Sequence, residues 1–460
     1  MKSLKTGRFI YIALFLVICL VPSAGLVLGI GSGGAESSDT ASLPSLKTED
    51  GSFNVNILSD AGDWFEENFA LRSTLVTANN HLMADTVKVS AEDGVVLGTD
   101  GWLYYSDSLD DYLGRNQLSD RALFDIAHTA KLTQDYCALL GINYLFAIVP
   151  NKNTVYPENM PYYDSHKVSE DSNRSRLRAF MEAEGVSYLD LTQTLTALKD
   201  GDEDGKSESS GLYYYHKRDS HWTNEGAAAG AAALLDKAVM DHRDYTSEAF
   251  EIRKDFEGDL EGMIYPEDVE PEEELYYDDG PAYSYVTDTE STFDIHIQTV
   301  SDAGSGSSLV MYRDSFGNAV LPFIAEAYDA AYFSRGTPYQ LTDLITYGAT
   351  DMICLRAERF LPQIAQEAPV LQSFAAEVSG ELTAAAAEVT KEDEGYYTKI
   401  SGTLAGEPAA GDLLYITFDD VVYYEAMPVH FEEGGEGFTV YLPTEQLDGT
   451  EPSVYTASQA

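Results

Sequence analysis

Apolar and polar positions along the chain alternate between two periods. From 121 to 140 the residues Leu123, Ile126, Ala130, Cys137 and Leu140 return at the spacing of one helix face, and a helix is predicted there. After Gly141 the run 144–149 is apolar without a break, as expected of a strand buried on both faces. The alternation continues with helix 174–184, strand 187–191, helix 224–240, strand 308–312, helix 318–327, strand 331–334, helix 340–346 and strand 352–355. Strands separated by helices predict an α/β fold with a mainly parallel sheet covered by helices on both faces. Upstream, the spacing of apolar residues predicts a helix over 64–82 and a hairpin over 94–105 that turns at Thr99-Asp100-Gly101. Past residue 380 the helical period fades. Short strands at 396–401, 413–418, 421–424 and 438–442 predict a small all-β unit.

The ends and interruptions complete the domain plan. Residues 1–31 hold no Asp or Glu, carry Lys2, Lys5 and Arg8, and then run uncharged from 9 to 30, which is long enough to span a bilayer. The basic flank predicts a cytoplasmic N-terminus with everything downstream outside. A cleaved signal peptide ending near Pro22-Ser23-Ala24 is the other reading, and both export the protein. The expected plan is a signal anchor or signal peptide over 1–31, a flexible linker over 32–52, an α/β domain over 53–380 and a β-rich domain over 381–460. The acidic stretch 200–210 is expected as a solvated loop, and the acidic run 267–280 as part of a long irregular insertion.

Composition narrows the classes of partner. With 77 acidic against 28 basic residues the formal charge is −49, while 44% apolar and 12% aromatic residues are ample for a core. Nucleic acid is excluded as a ligand, since phosphate binding needs a Lys or Arg surface. Cys19 falls in the apolar N-terminal run, and Cys137 and Cys354 fall in apolar patterns. They are expected as core residues, neither disulfide partners nor nucleophiles.

Two segments carry candidate chemistry. In Tyr213-Tyr214-Tyr215-His216-Lys217-Arg218-Asp219-Ser220-His221-Trp222-Thr223, Thr223 suits a helix N-cap, which places Asp219 and His221 in the loop just before a helix. A carboxylate two residues from a histidine can accept one ring N–H and leave the other nitrogen as a base. A purely structural cluster explains the same residues. In Ser308-Leu309-Val310-Met311-Tyr312-Arg313-Asp314-Ser315-Phe316-Gly317-Asn318, a strand turns sharply into a helix. Ser315 there can be a nucleophile, with its own N–H and that of Phe316 facing an oxyanion, or simply a helix cap. Trp222, fixed beside the base, is a candidate sugar platform. Lys152, after the strand 144–149, is expected to pair with a surface acid, and Trp102 and Tyr104 to pack in the hairpin. His216, Asp219 and His221 have a spacing that can chelate a metal, but no further His lies nearby.

The combination Asp219-Ser220-His221-Trp222-Thr223-Asn224-Glu225-Gly226 followed by Arg313-Asp314-Ser315-Phe316 resembles the SGNH-hydrolase-like O-acetyltransferases of exopolysaccharide and cell-wall modification, the AlgX, AlgJ and DHHW proteins among them. Val95 to Tyr105 and Pro150-Asn151-Lys152 are similar to further signatures of that family, in the same order, so the resemblance spans about residues 60–360. It implies a flavodoxin-like SGNH sheet, Ser315 as nucleophile, His221 as base and Asp219 as its orienter. It also implies a substrate contact for Arg335, a polysaccharide acceptor, and an acetyl donor delivered by a membrane-bound O-acyltransferase, with no metal or organic cofactor. Ser220 stands where the DHHW name has His. The expected function is therefore an extracytoplasmic O-acetyltransferase, with a carbohydrate acetylesterase and a non-catalytic glycan-binding scaffold as alternatives.

Overall fold

The computed structural model describes residues 43–48, 52–201, 204–289, 291–431, 435–447 and 449–458, with scattered positions between 9 and 25. The expected anchor over 1–31 and linker over 32–52 lie largely outside the described residues. Among those described, no helix is long and apolar enough to cross a membrane.

The chain divides into two units, residues 1–97 with 257–271, and residues 98–256 with 272–460. In the first, the single helix expected over 64–82 is two, Ile57–Asn68 and Arg72–Leu82. They are separated at Leu71, whose φ of 64° is left-handed and cannot continue a right-handed helix. Asn80 donates to the Ile264 carbonyl at 2.7 Å and ties the second helix to the short helix Asp259–Ile264 of the same unit.

The second unit is built on a seven-stranded sheet. Its strands are β1 (Asn143–Val149), β2 (Tyr188–Asp190), β3 (Ser284–Tyr285), β4 (His296–Val300), β5 (Ser308–Arg313), β6 (Ala330–Ser334) and β7 (Asp351–Ala357). The order across the sheet is β2-β1-β7-β5-β6-β4-β3. The first five in that order are parallel, whereas β4 and β3 add an antiparallel edge that sequence periodicity did not predict. Three central strands, β1, β7 and β5, are almost wholly buried, which is why each holds an apolar stretch, 144–149, 352–355 and 309–312. Helix α1 (Asp120–Leu139) starts where Ser119 accepts the Ala122 N–H, and lays Leu123, Ile126, Ala130 and Cys137 into the main core. Helices α2 (Asn224–Lys237) and α3 (Gly317–Ala327) follow the two candidate loops.

The segment expected to be irregular carries structure. Phe250–Phe256 pairs antiparallel with Glu272–Tyr277, so the acidic run is partly a strand whose Glu272 and Glu274 point inward. From Leu382 onward two four-stranded antiparallel sheets form. Ile400, Leu414, Ile416, Phe438, Val440 and Val454 make their shared core. Met427 and Tyr441 pack into the α/β core, and Thr129 of α1 donates to the Pro428 carbonyl, so this β portion is docked on α1.

Candidate active site

The site is assembled from the carboxyl ends of β1, β7 and β5, adjacent parallel strands about 4.8 Å apart, and from the loop that leads into α2. This is the edge at which open α/β sheets place their ligands.

The loop is held from below. Lys152, just after β1, is only 4% exposed, and its ammonium donates to the carbonyls of His216 (3.0 Å), Lys217 (3.0 Å) and Asp219 (2.6 Å). The expected surface pair is therefore replaced by a buried cation that gathers three carbonyls of the candidate loop. Trp102 and Tyr104 lie beneath it, 5.7 and 5.1 Å from the ammonium, in packing roles as expected. From the side, Glu274 takes the His216 Nε2 at 3.1 Å and the Asn224 N–H at 3.2 Å, while Glu272 takes the Arg218 N–H at 3.0 Å. Glu272 also faces the His216 Nδ1 at 3.7 Å, so both ring nitrogens of His216 are turned toward glutamates and the chelating set His216, Asp219 and His221 is not assembled.

At the top of this scaffold, one oxygen of Asp219 accepts both the backbone N–H and the Nδ1 of His221, each at 2.8 Å. With Asp219 on Nδ1, the proton belongs on that nitrogen and Nε2 is left as an acceptor. Nε2 stands 2.8 Å from the Ser315 hydroxyl, 94 residues further along the chain. His221 keeps 22% of its side chain exposed and Asp219 only 7%, so the base meets solvent while the carboxylate is shielded. The Ser220 hydroxyl is also 3.1 Å from Nδ1.

Ser315 does not cap α3, which no side chain caps; its hydroxyl is given to His221, and the turn before the helix is held by Asp314. One Asp314 oxygen accepts the Phe316 N–H at 2.9 Å and the other accepts the Ala357 N–H at 2.6 Å, which binds the serine turn to the end of β7. An aspartate accepting the N–H two residues on is a common local turn, and here it fixes the serine. It also corrects the expectation for Phe316. Its N–H is occupied by Asp314 and its ring is fully buried, so it offers no oxyanion donor in this arrangement. No acceptor among the described residues takes the Ser315 N–H.

Trp222 is a second correction. It is 2% exposed, donates its indole N–H to the Phe316 carbonyl at 3.1 Å and meets the Phe316 ring edge-on at 5.5 Å, so no face is open to a sugar. Glycines make room for it: a Cβ on Gly230 would lie 2.8 Å from the indole ring. Arg335 follows β6 at the same sheet edge, half-buried, with its guanidinium on the Phe293 carbonyl at 3.2 Å. Cys137 and Cys354 are buried free thiols, and burial pushes both up to about 12, which keeps them protonated and inert.

The arrangement is a hydroxyl, an imidazole and a carboxylate in a line, able to deprotonate the hydroxyl for attack on a carbonyl. Residues 95–296 match the family described as SGNH hydrolase-like domain, acetyltransferase AlgX; the match includes Asp219 and His221 and ends before Ser315. Among solved structures, the chain is similar to a DHHW family protein of Eubacterium siraeum, at 18% identity and a TM-score of 0.40 over 52% of this chain and 85% of that one. It is also similar to PatB1 of Bacillus cereus, at 12% identity and a TM-score of 0.44 over 58% and 97%. A third likeness is the O-acetyltransferase domain of Pseudomonas putida AlgJ, at 17% identity and a TM-score of 0.35 over 58% and 92%. Among curated proteins none matches the chain.

Proposed function

From a chain whose residues 95–296 match an SGNH hydrolase-like acetyltransferase domain, we propose an O-acetyltransferase that acts outside the cytoplasm on hydroxyls of a cell-surface or secreted polysaccharide. The observation that carries this reading is the 2.8 Å approach of the Ser315 hydroxyl to His221 Nε2, with Asp219 at 2.8 Å on the other ring nitrogen. His221 takes the Ser315 proton as Oγ bonds to the carbonyl carbon of an acetyl donor. The carbonyl electrons move to oxygen, where the Ser315 N–H meets the charge, and Asp219 steadies the imidazolium. Collapse expels the donor's leaving group, which takes the proton from His221, and leaves an acetyl ester on Ser315. An acceptor hydroxyl, deprotonated by His221, then attacks that ester, and the proton returns to Ser315 Oγ.

In this reading residues 53–380 form the catalytic domain and 381–460 a docked β-rich domain. The basic and apolar N-terminal run anchors or exports the chain, and a membrane-bound O-acyltransferase supplies the acetyl group. The test is partition of the acetyl group. With p-nitrophenyl acetate as donor and an oligosaccharide as acceptor, the purified chain should form acetylated sugar faster than acetate, and Ser315→Ala should form neither. Acetate as the sole product would make the chain an esterase, and equal turnover by Ser315→Ala would remove the serine from the chemistry.

A further inference from the structure

The Phe316 N–H is bonded to Asp314, which leaves the developing oxyanion with the Ser315 N–H alone among the donors expected from the sequence. A second donor is needed, because a single one leaves much of the transition-state charge unmet in a site partly shielded from water. The structure assigns that role to Arg359, a residue without any part in the sequence-based site.

Its position follows from strand register. Leu355 of β7 is paired with Arg313 of β5, and the Asp314 carboxylate accepts the Ala357 N–H at 2.6 Å, so the end of β7 is fastened to the serine turn two residues before Arg359. The guanidinium carbon lies 5.2 Å from the Phe316 ring centre, and the same ring is 4.9 Å from that of His221. Arg359 and the base thus share Phe316, the residue after the nucleophile, as a neighbour.

Its bonding state is the second observation. Every other arginine among the described residues has a carboxylate or carbonyl partner. Arg359 has neither an ion pair nor a hydrogen bond among the described residues. Its Nε is buried and unbonded, and the residue is half-buried against Tyr105, Phe316 and Phe360, with ring centres 5.4, 5.2 and 4.9 Å from the guanidinium carbon. In a chain with 77 acidic residues, a half-buried cation kept on aromatic faces with no ion pair among the described residues is a donor held in reserve for a ligand's negative charge. Resting on the acyl-enzyme reading above, Arg359 is a catalytic residue: as Ser315 Oγ bonds to the acetyl carbon and the carbonyl electrons pass to oxygen, the guanidinium donates to that oxygen and releases it when the leaving group departs. No proton is transferred to or from it, since arginine stays charged throughout.

The test compares wild type, Arg359→Lys and Arg359→Ala in acylation by p-nitrophenyl acetate, with and without about 50 mM guanidinium ion. Loss of one oxyanion donor costs roughly 100- to 1,000-fold in kcat. Arg359→Ala should fall in that range with KM changed less than about threefold, and added guanidinium should restore at least tenfold of it while leaving wild type unaffected. Arg359→Lys, which keeps the charge and the packing of the stem, should keep more activity than Arg359→Ala and gain nothing from guanidinium. Arg359→Ala acylated at the wild-type rate, a loss confined to KM, a loss in folded Arg359→Ala that guanidinium does not rescue, or a folded Arg359→Lys no more active than Arg359→Ala would overturn the assignment. A wild-type chain that takes no acetyl group would instead overturn the acyl-enzyme reading itself.

Discussion

Replacing Lys152 by Met keeps the length of the side chain and removes the charge that gathers the candidate loop. The structure sets the size of the effect. Two carbonyls, those of His216 and Asp219, lose their ammonium donor in a place where Lys152 is only 4% exposed, while that of Lys217 keeps the Leu103 N–H at 2.8 Å. A buried polar group left unsatisfied costs about 1–3 kcal/mol. Burying an ammonium itself costs several kcal/mol, which the Met variant no longer bears. The net loss is therefore about 2 kcal/mol, and a fall of about 4 °C or more in the thermal midpoint follows for a domain of this size. The catalytic effect should be larger in proportion, because Asp219 is both held by Lys152 and bonded to His221, and misplacement by about 1 Å costs about 100-fold in rate. Lys152→Arg should rescue little, since a planar fork cannot aim three donors at three converging carbonyls as an ammonium does. Thermal unfolding and p-nitrophenyl acetate turnover of the three proteins, side by side, read both effects. A Lys152→Met protein within 1 °C of the wild-type midpoint and within about twofold of its turnover would refute the account of the loop.

Two further expectations concern stability and reactivity. His128 of α1 lies between Glu184 (2.8 Å) and Glu425 (3.0 Å) of the β portion; burial alone would lower its pKa, but the bonds to the two carboxylates outweigh it and raise it to about 8. Because the folded value exceeds the unfolded value of about 6.5, this contribution, about 2 kcal/mol, is complete below pH 6.5 and lost as pH rises through 8. The difference in thermal midpoint between wild type and His128→Gln should accordingly shrink from pH 6 to pH 9, and a constant difference would contradict it. Cys137 and Cys354, with pKa values pushed up to about 12, should resist a thiol reagent such as iodoacetamide in the native state and react only after unfolding; rapid native labelling would show that the core opens.

Much of the α/β plan was legible in the sequence because the central strands are buried on both faces and announce themselves as apolar runs, as 144–149 does. The antiparallel edge β4 and β3 was not, since its half-exposed strands mix polar and apolar residues like a loop. Acidic composition misled in the same way at 272–277, where Glu272 and Glu274 face inward as alternate residues of a strand and grip the loop before α2. Ser315, His221 and Asp219 were identifiable from local chemistry, and the fold brings the three together. Lys152 was not, because a cation whose partners are backbone carbonyls leaves no signal in the sequence. Two signals were present and unused. Asp314 two residues before Phe316 has the spacing of a side chain that bonds that N–H, and Gly230 on α2 marks the room that the buried Trp222 ring occupies, as Gly226 marks the close approach of the Tyr214 carbonyl.

Intact-protein mass spectrometry after brief exposure to p-nitrophenyl acetate tests the central claim most directly, because formation of an acyl-enzyme needs no glycan. Wild type should gain one acetyl group, mapped by peptide fragmentation to Ser315. Asp219→Asn should gain it slower by orders of magnitude, through the wrong tautomer of His221, with its fold intact. Ser315→Ala should gain none. An acetyl group carried equally by wild type and Ser315→Ala, or mapped to another residue in both, would contradict the account.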